Sequence, residues 1–268
     1  MAELASFSGL TWLLCLAVVL LAGAVRGFAG FGFSALSVSA LSLFLPPAQV
    51  IPPLLMLEIA ASITLLRSAW KDTDWTWLSW LMLGNVLCIP VGLALLSYAP
   101  ENTVRLLIGL VLVVVVSLQL RGLRWTGAPT RRLRLLTGLV SGLVNGVAAM
   151  GGLVVVVMLN ASSLSPLVLR ATLVLLFLFG DIYALLCAGL MPTSAHLGAP
   201  LLGWETLRLA LALLPAMLLG MALGQRLFHG VSPERFRRYV LQLLLLLALI
   251  TLTRAAWQLL HAALPPLA

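Results

Sequence analysis

Apolar residues run in long blocks along this chain, and polar ones collect in the gaps between them. The blocks fall at 9–25, 28–45, 49–66, 75–97, 104–120, 135–150, 152–164, 168–190, 204–227 and 239–260. Most are long enough to cross the ~30 Å hydrocarbon layer of a bilayer as helices. None shows the ~10-residue alternation of a barrel strand, and lipid cannot satisfy an open backbone. The pattern therefore predicts an all-α polytopic membrane protein with ten apolar segments, of which about eight to ten enter the membrane.

Composition agrees: of the 268 residues 62% are hydrophobic and 9% charged, against about 25% charged in an ordinary soluble domain. Mean hydropathy is +1.13. The first block does not read as a cleaved leader, because the residues before it hold Glu3 and no basic residue. Cys15, Cys88 and Cys187 are scattered through apolar blocks without metal spacing and read as small buried hydrophobes.

One strongly polar linker, Arg121 to Arg134 (RGLRWTGAPTRRLR), carries five arginines and no acid and divides the chain near its middle. The two sides resemble each other. A displacement of 119 places lays GFAGFGFS at Gly27 over GVAAMGGL at Gly146 and Pro47 over Pro166; one of 133 lays APENTVR at Ala99 over SPERFRR at Ser232. The expected organisation is a first transmembrane repeat over 1–120, a basic cytoplasmic linker over 121–134 and a second repeat over 135–268. A unit of five segments is odd, so its two copies enter the membrane in opposite senses, an inverted repeat of the kind secondary transporters use. With both termini outside, 13 of the 16 basic residues fall in cytoplasmic connections, and only Arg105, Arg208 and Arg254 fall on the other side. The net charge of +8 is then explained by a cytoplasmic membrane face, with no nucleic acid required.

Two groups of residues stand out against this apolar background. Gly27, Gly30 and Gly32, preceded by Arg26, match Gly146, Gly151 and Gly152, preceded by Asn145. Glycines there serve either close helix packing or a break in the helix, where freed N–H groups and a helix N-terminus favour an anion. Arg26 reads equally as a side chain snorkelling to the interface or as a ligand of that anion. The second group is acidic: Glu58 and Asp181 lie mid-segment in equivalent members of the two repeats, and the 119 displacement lays Asp181 over Ser62, one turn from Glu58. A charge at the bilayer centre costs at least ~2.5 kcal/mol, so these acids either carry protons or join an internal ion pair or hydrogen bond. Arg170, eleven places before Asp181 and about 16 Å away along the helix, either guides anions inward or anchors the helix end.

Nothing points to catalysis: His196, His229 and His261 are isolated, no HExxH or paired CxxC occurs, and no phosphate-binding loop is available to use ATP. No cofactor is expected. A repeated unit opening on GFAGFGFS or SGLVNGVAAMGG, with a proline about 15 residues later, resembles the TauE/SafE family, the sulfite exporter or 4-toluene sulfonate uptake permeases. The resemblance covers nearly the whole chain. It implies a bacterial inner-membrane carrier of sulfite, organosulfonates or related anions. It also implies seven or eight spans, so that pieces around the glycine clusters would form re-entrant hairpins. Ala149 departs from the pattern where a third glycine is expected. The function these readings imply is a secondary transporter, exporting a small sulfur-containing anion in exchange for protons by alternating access between the repeats. A guanidinium fork suits a three-oxygen anion better than an ammonium does. An anion channel or an accessory subunit of a membrane complex is the other class consistent with the composition. Oligomeric state is not legible.

Overall fold

The computed structural model describes residues 9–122, 130–162, 164–191, 200–227 and 233–263. Glu3, the centre of the basic linker, His196, His229 and Ser232 lie outside them. Ten helices follow in order: α1 (Gly9–Ala29), α2 (Phe33–Leu41), α3 (Pro47–Asp72), α4 (Trp75–Tyr98), α5 (Glu101–Leu120), α6 (Arg131–Ala148), α7 (Gly151–Ala161), α8 (Pro166–Leu190), α9 (Trp204–Leu227) and α10 (Pro233–Ala263). Each coincides with one apolar block. Seven of them (α1, α3, α4, α5, α8, α9 and α10) are long and apolar enough to cross a membrane, and no strand occurs among the described residues. The chain is a multi-pass membrane protein.

Local chemistry sets the helix boundaries. Pro47 and Pro166 open α3 and α8, where a missing N–H costs nothing. Asp74 caps α4 by accepting from the Thr76 and Trp77 amides at 2.9 and 3.0 Å, and Thr130 caps α6 through the Leu133 amide. The short α2 and α7, of 9 and 11 residues, are about 14 and 16 Å long and cannot cross a bilayer.

Contacts between the helices establish which way each short helix runs. One end of the bundle gathers the start of α5 and the end of α10, whose Arg105 and Arg254 donate to the Ser42, Leu45 and Leu43 carbonyls after α2. The ends of α4 and α8 meet there too, through Ser97 and Met191. The opposite end joins the finish of α3 to the start of α8, where the Asp74 amide donates to Thr172. Helix α1 runs parallel to α9, with Gly23 against Met217 and Gly27 against Met221, and α6 runs parallel to α4, with Gly138 against Leu81 and Gly146 against Ile89. Thus α1 enters from the α5 end and the chain returns to it as α2; α6 enters from the opposite end and returns to it as α7. Both pairs are helical hairpins that start and finish at the same end of the bundle. Helix pairs come in matched couples, α1 on α9 with α6 on α4, α3 on α9 with α8 on α4, and α2 on α10 with α7 on α5, while α3 packs on α8 and α5 on α10.

Candidate functional site

The hairpin tips lie deep in the bundle. At the first, the Gly30 amide closes the last turn of α1 on the Arg26 carbonyl at 2.8 Å, and Gly30 and Gly32 take φ of 81° and 95°. These left-handed angles are open to glycine at little cost, so here the helix-break reading holds. At the second, the Ala149 amide bonds the Asn145 carbonyl, again at 2.8 Å, and Ala149 takes φ 53°. Alanine adopts the conformation that Gly30 adopts in the first copy. The doubtful position does form the turn, and a side chain there costs ~1 to 2 kcal/mol.

Gly27 and Gly146 have a different use. Cβ atoms on them would collide with the Met221 and Ile89 carbonyl oxygens, so they are packing glycines, which lets α1 touch α9 and α6 touch α4 backbone to backbone. Gly151 donates its amide to Asn145 Oδ1 at 3.3 Å. Gly152 lies directly beneath the Phe177 ring.

Arg26 is wholly buried, so it does not snorkel. Its Nη2 lies 3.2 Å from Glu58 Oε2 and donates to Ser62 Oγ at 3.0 Å, and its guanidinium stacks 4.4 Å from the centre of the Phe177 ring. Nε and Nη1 have no hydrogen-bond partner among the described residues. Glu58 is buried as well, and its Oε1 accepts from the Ser34 amide at 3.2 Å and the Ser34 hydroxyl at 2.8 Å. Ser34 stands in the first turn of α2, so Glu58 takes the place of an anion at that helix N-terminus. The other end of α2 faces Arg105 and Arg254, a charge placement that also suits its dipole.

Asp181 is buried in the middle of α8, and its Oδ1 accepts from Asn145 Nδ2 at 2.8 Å, while Oδ2 has no hydrogen-bond partner among the described residues. Phe177, stacked on Arg26 of the first tip and set against Gly152 of the second, joins the two tips. Arg170 is half-buried beside the first break. Its Nη2 donates to the Gly27 carbonyl at 3.4 Å, and a Cβ on Gly30 would sit 2.7 Å from its Cγ. It interacts with the Arg26 charge and makes no bond with Asp181.

The structure brings Arg26, Glu58, Asn145, Asp181, Gly30, Gly32, Gly151 and Gly152 to the two tips, with Arg170 at the edge. Ser34 and Phe177 join them without having been singled out. Ser34 ends the GFAGFGFS stretch, and Phe177 is the residue that the 119 displacement lays over Glu58, which is the signal that would have found it.

A polytopic helical bundle with two opposed, broken-helix hairpins around buried polar groups fits the way secondary transporters are built. Residues 15–251 match the sulfite exporter TauE/SafE family, and the chain belongs to it. No curated protein and no solved structure matches the chain.

Proposed function

We propose that the protein carries small sulfur-containing anions such as sulfite or organosulfonates across the bacterial inner membrane, coupled to protons and by alternating access. The family supplies the class, a membrane exporter of sulfur anions. The observation that supports a site at the tips is Arg26: a wholly buried guanidinium with two unpartnered nitrogens beside the N-terminus of α2. A three-oxygen anion meets such a fork and the nearby amide donors in several directions at once. Asn145 and the N-terminal turn of α7, with Gly151 and Gly152, form the neutral wall opposite. Glu58 and Asp181 are the proton carriers, and Arg170 draws anions toward the tips from the basic end. The matched couples of packed helices support two inverted repeats, 1–120 and 135–268, joined by the linker 121–134. The excess of arginine and lysine on one face supports termini on the outer side.

Counterflow in proteoliposomes tests the reading. Labelled sulfite should enter against unlabelled sulfite inside, saturate, and be lost in Arg26→Lys, which keeps the charge and removes the fork. Flux without trans-stimulation would identify a channel, and no flux in any condition would leave an accessory subunit.

A further inference from the structure

The cation that the transport reading assigns to the substrate is already engaged by a carboxylate of the same chain. Glu58 uses two donors an incoming anion would need, the Ser34 amide and the Ser34 hydroxyl, and pairs with the Arg26 charge at 3.2 Å. We propose that Glu58 is a tethered competitor of the transported anion, so that the anion binds as Glu58 accepts a proton, and proton and anion cross together in the same direction. This rests on the transport reading above and reverses the exchange of anion for proton that the sequence led us to expect.

Charge balance argues for it. Arg26, the guanidinium at the first break, is already paired with Glu58, so that buried pair carries no net charge. An added anion leaves one uncompensated negative charge beside that pair, where low dielectric makes the repulsion between like charges strong. Neutralising Glu58 removes that charge and also frees the donors, since a carboxylic acid no longer holds the guanidinium or the helix N-terminus as a carboxylate does. Asp181 is placed differently. Its bonded partner is the neutral Asn145 amide, so its protonation would release no cation. The step balances as one proton added to one carboxylate oxygen and one ion pair exchanged for another.

Among the described residues no other charged group is placed to do this. Of the elements around α3, α1 presents Arg26, α8 presents Asp181 and Arg170, and α2 presents only Ser34 and its backbone. Helix α4 has no charged residue, and those of α5 and α9 (Glu101, Arg105, Glu205, Arg208 and Arg226) lie at the helix ends.

Glu58→Gln decides the matter, because competition and a structural role predict opposite signs. Removing a tethered competitor should tighten sulfite binding to purified protein at neutral pH by about tenfold or more, in the range of ordinary coupling between sites. Losing a structural ion pair should weaken it. In the parent, affinity should rise as pH falls and Glu58 takes up its proton; in Glu58→Gln that rise should shrink. In proteoliposomes carrying a pH dye, sulfite entry should acidify the lumen, and more so for the parent than for Glu58→Gln. Protons carried on sulfite itself are common to both chains, so the difference reads Glu58. If Glu58→Gln does not fold, Glu58→Asp supplies the reading, keeping the acidification and the pH dependence. Weaker binding in Glu58→Gln, an unchanged pH dependence, or alkalinisation on entry in the parent would overturn the proposal while leaving transport intact. Absence of saturable sulfite flux in the parent would instead remove the transport reading, and this one with it.

Discussion

The two hairpin tips have one geometry and two chemistries. In the first, Arg26 reaches the side chain 36 residues on, Ser62; in the second, Asn145 reaches the side chain 36 residues on, Asp181. Both side chains stand four residues before a left-handed turn residue, Gly30 or Ala149, whose amide closes on the carbonyl of the same residue. The polarity is crossed: a cation faces a hydroxyl in one copy, and an amide faces an acid in the other. At the third matched position Glu58 in one copy corresponds to Phe177 in the other, and both lie against Arg26. Two copies of the first tip would have brought two Arg26 side chains together, and two copies of the second none. The differences between the copies leave one guanidinium at the tips themselves, flanked by acids and an aromatic face, with Arg170 at the edge.

The comparison breaks most sharply at Arg26. Arg26→Gln should abolish sulfite counterflow and lower unfolding stability in detergent by about 3 to 5 kcal/mol, because Glu58 is left buried and unpaired. Adding Glu58→Gln should recover much of the stability and none of the flux, a non-additivity that neighbours in one network show. Substitutions at the matched packing glycines come next. Gly27→Ala and Gly146→Ala force a side chain into a facing carbonyl and should each cost about 1 to 3 kcal/mol, alike in the two copies. Asn145→Leu removes the donor to Asp181 and should cost about 1 to 3 kcal/mol, with less effect on sulfite affinity than any change at Arg26. Smallest is the turn itself. Ala149→Gly should stabilise by up to about 1 kcal/mol, whereas Gly30→Ala should destabilise, since its new methyl meets Arg170 as well as a left-handed backbone.

The helices were legible because each is an apolar block ended by proline, glycine or a polar cap, and those signals are local. The blocks 28–45 and 152–164 became the short α2 and α7, and the glycines of the first foretold its turn. Ala149 foretold nothing, because a left-handed alanine is held by the surrounding fold and has no composition of its own. The roles of Gly27 and Gly30 could not be separated by letter, since one is decided by the approach of α9 and the other by backbone rotation. Arg26 was visible as an anomaly, but its partner depends on how deep the tip of α1 reaches along α3. That is a tertiary fact. The lone hydroxyl of Ser34 carries no mark distinguishing it from the other serines of the apolar helices, and Phe177 is marked only by its place over Glu58 in the 119 displacement.

The glycine seams have a consequence for motion. Gly23, Gly27, Gly220 and Gly224 weld α1 to α9, and Gly84, Gly92, Gly138, Gly142 and Gly146 weld α4 to α6, so each seam unites a helix from before the linker with one from after it. Neither sequence half is therefore a mechanical part. Any swivel must take place between mixed assemblies, one built on α1 and α9, the other on α4 and α6. A chain severed inside the linker should yield fragments that accumulate in the membrane only when made together.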